Sequence, residues 1–151
     1  MIKIIQIKKK NKKPIGISQI KIGTKRSFKI KITKKIHNQF KNFSGDKSPI
    51  HVSKKISKTN NFKNIIGYAF LLTAALSQIF GMYFPGGNEL CLHQTCNFRK
   101  PFFINDILIF NLKVVQVNKP RKLLTIQINI FNQHGQIIFD GSTILQLALK
   151  V

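Results

Sequence analysis

Acidic residues are scarce in this chain of 151 residues, which has four Asp and Glu against 26 Lys and Arg and a formal net charge of +22. The first 45 residues have no acid at all, and 18 of the 26 basic residues lie before residue 60. A bias toward Lys in the encoding genome explains this charge as well as an anionic partner does. The anionic partners that it fits are RNA, an acidic carrier protein and a phosphate-bearing cofactor.

Cysteine is also scarce, with only Cys91 and Cys96, and the chain has no apolar run after a short basic start. A secreted domain built on a disulfide framework is therefore excluded. The spacing Cys91-x-His93-x-x-Cys96 offers three metal-ligand types, but alternation along a strand turns Cys96 away from the other two. Ordinary structural residues are favoured over zinc, and no metal site is expected. His37 and His134 lie in polar stretches and are expected to have no special role.

Length and composition predict one folded domain, since 43% of the residues are hydrophobic and a chain of this size buries a sufficient core. Residues 1–15 carry six Lys and Pro14 and are expected to form a basic, flexible extension to a single domain over residues 16–151. The expected compartment is the cytoplasm. If the extension is a presequence, the protein belongs in a mitochondrion or plastid instead.

Hydrophobic periodicity predicts an α+β protein in which one long helix packs on an antiparallel sheet. Thr33 is a candidate cap for a helix over residues 34–42, which a turn-rich loop over 43–52 follows. A half-buried strand is predicted within residues 18–33. The remaining strands are predicted over residues 90–94, 107–114, 124–130 and 142–147.

Residues 65–84 carry no charge and are long enough to cross a bilayer, so a membrane span is an alternative reading. Against it stand Tyr68, Thr73 and Ser77 in the interior of the segment. A helix that is apolar nearly all round also describes a core helix wrapped by its own protein. We expect the buried helix and no membrane span.

Asp46 and His51 stand five residues apart in the predicted loop, with Ser48 and Pro49 between them. Pro49 fixes its own φ and restricts Ser48, which stiffens the loop. An Asp–His pair can hold and polarise a water molecule and move its proton. The plainer alternative is a turn with an Asx hydrogen bond and a surface histidine.

Residues 44–52, Ser-Gly-Asp-Lys-Ser-Pro-Ile-His-Val, resemble the G-D-x-N-P-[IL]-H motif of the MaoC-like dehydratases and (R)-specific enoyl-CoA hydratases. Further motifs of that family follow in order and at fitting distances, and the resemblance extends over about residues 18 to 150. They are the opening of the long helix at 66–77, the L-P-G that ends it at 84–86, the F-x-x-P strand start at 98–102 with Asp106, and the N-Q-x-G turn at 132–135.

The resemblance implies a hot-dog fold, in which a curved antiparallel sheet wraps a long central helix, and a homodimer or higher oligomer. It implies reversible hydration of trans-2-enoyl thioesters to (R)-3-hydroxyacyl thioesters by Asp46 and His51. The Ala69 N–H is assigned to the thioester carbonyl, and Ser48, Tyr68 and Ser77 are assigned to the substrate site. Coenzyme A or an acidic acyl-carrier protein belongs to the substrate, and no cofactor is implied.

The chain departs from the family pattern at two site positions, with Ser48 in place of Asn and Ala69 in place of Gly. These departures leave open a hot-dog protein that binds acyl thioesters without catalysis. Asn105, in place of a third family residue, Gly, tolerates a left-handed turn. A basic protein associated with nucleic acid is a further alternative, but such a protein is expected to interleave Arg and exposed aromatics with its basic run. This chain has only three Arg, so no specific nucleic-acid partner is expected.

Overall fold

The computed structural model describes residues 4–6, 14–87 and 89–147. Its helices are α1 (Lys34–Ser44), α2 (Pro49–Val52), α3 (Lys54–Thr59) and α4 (Ala69–Met82). Its strands are β1 (Ile4–Gln6), β2 (Lys25–Lys31), β3 (Glu89–Gln94), β4 (Asn97–Phe98), β5 (Ile107–Asn118), β6 (Leu123–Phe131) and β7 (Ile137–Leu147).

The strands form one antiparallel sheet in the order β1-β2-β5-β6-β7-β3, with β4 also paired to β7. Alternate side chains of β5 and β6 point inward and are fully buried, as with Phe110 and Ile128. One face of α4 packs on this apolar surface through residues that are at most 2% exposed: Leu71, Leu72, Ala75, Leu76 and Ile79. The α+β architecture with a long helix against a curved antiparallel sheet is confirmed.

The other face of α4 differs from the prediction of a helix wrapped all round. Phe70, Ala74 and Ser77 lie along it at helical spacing and are exposed, Phe70 at 66%. The helix is also shorter than the uncharged run, because Ile66 bridges to Phe103 and the Gly67 N–H donates to the Phe102 carbonyl at 2.7 Å. Within the described ranges, no helix is both long enough and apolar enough to cross a membrane.

The predicted helix after Thr33 is confirmed, and the Thr33 hydroxyl accepts a hydrogen bond from the Ile36 N–H at 3.2 Å. The strand predicted within residues 18–33 begins only at Lys25, because Gly23 turns the chain with a φ of 84°. The loop predicted over 43–52 instead contains the end of α1 and the whole of α2.

The predicted flexible extension falls mostly on residues 1–3 and 7–13, which lie outside the described residues. Between them, Ile4–Gln6 pairs antiparallel with β2. At its end, the Ile15 N–H donates to the Pro85 carbonyl at 2.9 Å, beside the end of α4. The described parts of the extension are therefore held against the domain.

Candidate active site

The end of α1 and the start of α2 place Asp46 and His51 in one tight loop. Gly45 ends α1 in the left-handed conformation, with a φ of 71°, and returns its N–H to the Lys41 carbonyl. Pro49 then starts α2, where its missing N–H costs no helical hydrogen bond. The reversal brings Asp46 Oδ2 to 4.0 Å from His51 Nε2. That gap is too long for a direct hydrogen bond and suits one bridging water.

Ser48 orients the carboxylate of Asp46. Its backbone N–H and its hydroxyl both donate to Asp46 Oδ1, at 2.8 and 2.6 Å. The Asx hydrogen bond that the simple-turn alternative predicted is thus present, and it leaves Oδ2 facing His51. The hydroxyl bond first, and the backbone bond second, lower the pKa of Asp46, so the carboxylate is ionised and acts as an acceptor at neutral pH.

His51 is held in one tautomer by the chain that leads into α4. Its Nδ1 lies 2.9 Å from the Ile66 carbonyl oxygen, so Nδ1 carries the proton and donates it. Nε2, the other ring nitrogen, faces Asp46 Oδ2. The side chain is 14% exposed, which makes His51 part of the wall of a cleft and not a free surface histidine.

A cavity of about 270 Å³ adjoins His51. Its wall includes His51, Ala69, Phe98, Lys100 and Phe102. Ala69 is the first residue of α4, so its N–H has no carbonyl partner inside the helix. The N-terminal end of α4 therefore presents a donor and the positive end of the helix dipole beside His51. Ala69 does not have a positive φ. Alanine therefore fits at the position where the family has Gly, and its backbone N–H remains in place.

The structure places two predicted site residues elsewhere. Tyr68 is 2% exposed, and its hydroxyl donates to the Asp46 carbonyl oxygen at 2.8 Å, behind the loop. Ser77 lines a different cavity, of about 340 Å³, with Thr73 and Cys91. Within one chain, neither side chain borders the cavity at His51. Their predicted contacts with substrate stay predictions, and the position of Tyr68 favours a supporting role.

Sequence reasoning missed two contributors to this region. His37 was expected to have no role, yet it is 2% exposed and lies 2.8 Å, through Nε2, from the His51 carbonyl oxygen. Its signal in the sequence was helical spacing, since it stands next to buried Ile36 and three residues before Phe40. Arg99 also reaches the cavity, while it is paired with Asp140 on β7.

No set of three or more His, Cys, Asp or Glu side chains in the described parts of the chain is arranged to hold a metal ion. The loop and the start of α4 bring together an ionised carboxylate, an imidazole whose Nδ1–H is held by the Ile66 carbonyl, and a helix N-terminus beside the cavity.

The chain is similar to a known protein family and to curated hydratases and dehydratases. The family model described as "MaoC like domain" matches residues 18–130. An (R)-specific enoyl-CoA hydratase of Aeromonas caviae is 26% identical over 108 residues, which are 72% of this chain and 81% of that protein. A 3-hydroxybutyryl-CoA dehydratase of Methylorubrum extorquens is 24% identical over 111 residues, 74% of this chain and 70% of its own length.

A solved structure supports the same fold. The unliganded R-hydratase PhaJ1 from Pseudomonas aeruginosa superposes with a TM-score of 0.84 at 24% identity. The superposition covers 98% of this chain and 90% of that one. The predicted hot-dog fold is confirmed.

Proposed function

The chain belongs to the MaoC-like domain family, and from this premise we propose that it is a hydro-lyase that reversibly adds water to trans-2-enoyl thioesters. The product is the (R)-3-hydroxyacyl thioester. The observation that carries the proposal is the 4.0 Å gap between Asp46 Oδ2 and His51 Nε2, next to a cavity that Ala69 borders. The names of the two sequence relatives support the same reaction.

In the proposed reaction, one water sits between the carboxylate of Asp46 and His51 Nε2. The oxygen of that water forms a bond to C3 of the enoyl group while His51 Nε2 accepts one of its protons. The negative charge that develops on the thioester oxygen is met by the Ala69 N–H and the dipole of α4. His51 then delivers the proton that it accepted to C2, so one water is consumed, the double bond becomes a single bond and His51 returns to its starting state.

No metal or organic cofactor takes part in this scheme. Coenzyme A and an acyl-carrier protein both carry their acyl group as a thioester at the end of a phosphopantetheine arm, so each brings a phosphate with the substrate. The segment from residue 34 to 63 contains eight Lys and one acid, Asp46, and Lys100 borders the cavity itself. This positive surface supports binding of either anionic carrier. It does not require a specific nucleic-acid partner.

We propose that two copies of the chain form a homodimer. β3 lies at the end of the strand order, with one edge unpaired by the described strands. Leu90 and Leu92 on β3 are 49% and 55% exposed, and the open face of α4 adds Phe70 at 66%. A free strand edge beside exposed apolar side chains favours pairing with a second chain.

The experiment that tests the activity is hydration of crotonyl-CoA, followed as loss of the absorbance of the enoyl thioester. Wild type is compared with Asp46→Asn and His51→Ala. We expect each variant to lose at least about 10²-fold in kcat, the usual contribution of a positioned acid–base group. A folded, dimeric wild type that hydrates neither the CoA thioester nor crotonyl-carrier protein refutes the proposal and favours acyl binding without catalysis.

A further inference from the structure

His37 is a buried titratable residue that the proposed reaction does not use. Its ring packs on Tyr68 at a centroid distance of 4.7 Å, and Tyr68 packs in turn on His51 at 4.2 Å. Phe40, one helical turn along α1, also packs on Tyr68, at a centroid distance of 5.2 Å. The three polar rings therefore form a continuous stack from α1 to the proposed acid–base pair.

This stack holds the main chain of the site loop at both functional residues. The Tyr68 hydroxyl donates to the Asp46 carbonyl oxygen at 2.8 Å. His37 Nε2 lies 2.8 Å from the His51 carbonyl oxygen, which is an acceptor only, so His37 Nε2 carries a proton and donates it. Burial first, and the charge of Asp46 second, raise the pKa of Tyr68, so the phenol stays protonated as a donor.

The other nitrogen of His37 has no hydrogen-bond partner among the described residues. Nδ1 is buried and unpaired, which costs folding free energy that an apolar side chain of similar size would not cost. Burial lowers the pKa of His37, the bond to the His51 carbonyl opposes this, and the charges of His51 and Lys41 lower it again. The ring is therefore neutral at physiological pH, with its single proton on Nε2.

We propose that His37 is a positioning residue, whose Nε2–H bond to the His51 carbonyl holds the imidazole of His51 at its distance from Asp46 and Ala69. This rests on the proposed hydration reaction. It adds a role for a residue of α1 that touches neither the water nor the thioester. If His37 served only to fill space, an apolar side chain would do so without the cost of a buried nitrogen that has no partner among the described residues. We therefore assign the contribution of His37 to its Nε2–H, which donates to the His51 carbonyl oxygen.

The expected effect is on kcat more than on KM, because the His51 backbone sets the position of the base and not the binding of the carrier. A shift of about 1 Å in a reacting group lowers rates by about 10²-fold. We expect a fall of about 10- to 100-fold in kcat when the donor is lost, since the bond from His51 Nδ1 to Ile66 still restrains the ring.

The test uses two substitutions of nearly equal size. His37→Met fills the space without a donor, and His37→Gln can place an amide N–H where Nε2 lies. We expect His37→Met to show the loss in kcat with little change in KM and His37→Gln to restore most of it. His134→Met, on the β6–β7 turn, is the matched control and should retain wild-type kinetics. Wild-type kcat in His37→Met, or equal losses in the Met and Gln variants, would overturn the proposal.

A second readout separates this proposal from the proposed reaction, because it needs no activity. In ¹H–¹⁵N spectra, the Nδ1–H of His51 should be protected from exchange with solvent in wild type and in His37→Gln. It should exchange faster in His37→Met. An unchanged His51 signal in the Met variant refutes the positioning role even if the enzyme is inactive. A wild type without hydratase activity but with this pattern refutes only the reaction.

Discussion

A methyl group added at residue 67 has no space to occupy. A Cβ built on Gly67 runs directly into the ring of Phe102, which is itself 2% exposed and cannot turn away into solvent. The backbone cannot yield easily either, since the Gly67 N–H donates to the Phe102 carbonyl at 2.7 Å. Overpacking of this kind costs about 1 to 3 kcal/mol. For a domain of this size, Gly67→Ala should lower Tm by about 2 to 12 °C.

The strain should also reach the active site, because Gly67 stands between Ile66, which anchors His51, and the start of α4. We therefore expect Gly67→Ala to lower kcat/KM even at temperatures where the variant is fully folded. Thermal unfolding followed by circular dichroism measures the stability, since the chain has no Trp for fluorescence. Crotonyl-CoA hydration measures the activity.

Two variants test the steric reasoning itself. Gly81→Ala makes the same change inside α4, where the new Cβ meets only a carboxylate oxygen at 3.7 Å. It should stabilise the protein by about 0.4 to 1 kcal/mol. Phe102→Leu should relieve the clash, so the double variant with Gly67→Ala should be more stable than the two single effects predict by addition. Additive losses, or a Gly67→Ala protein as stable as wild type, would show that the ring of Phe102 is not the obstacle.

Ser48→Ala removes the hydroxyl bond that contributes most to lowering the pKa of Asp46. The carboxylate should then protonate at a higher pH, so the acidic limb of the pH profile of kcat/KM should shift to higher pH. An acidic limb at the wild-type pH would contradict this. Leu92→Asp places a charge on the exposed edge strand β3. It should shift the dimer toward monomer in light scattering coupled to size exclusion, whereas a variant that remains dimeric places the interface elsewhere.

The parts of the fold that sequence predicts well are those set by local chemistry. Thr33 was predicted to cap α1 and its side chain does so. Asn105 was expected to tolerate a left-handed turn and adopts a φ of 75°. The alternation of Ile126, Ile128 and Ile130 predicted β6, and all three are fully buried. Each of these signals is contained within a few neighbouring residues.

The supporting residues of the site were not predictable in the same way. The family resemblance assigned Tyr68 to the substrate site. Only the fold shows that its hydroxyl reaches back 22 positions along the chain to the Asp46 carbonyl. His37 lies in a polar stretch, and its burial depends on the loop that folds over it. Contacts of this kind join segments whose spacing in sequence carries no periodic signal.

For helix α4, the sequence predicts burial but not which chain covers the helix. This distinction bears on the proposed homodimer. Its sequence is uncharged throughout, which by itself indicates burial on every side. The sheet of its own chain covers only the face that carries Leu72 and Ile79, and leaves Phe70 and Ser77 exposed. A pattern of apolar residues cannot tell whether a helix is covered by its own chain or by a second copy, because both require the same side chains. The open face of an uncharged helix, next to an edge of β3 that no described strand pairs, is therefore itself physical support for the proposed homodimer.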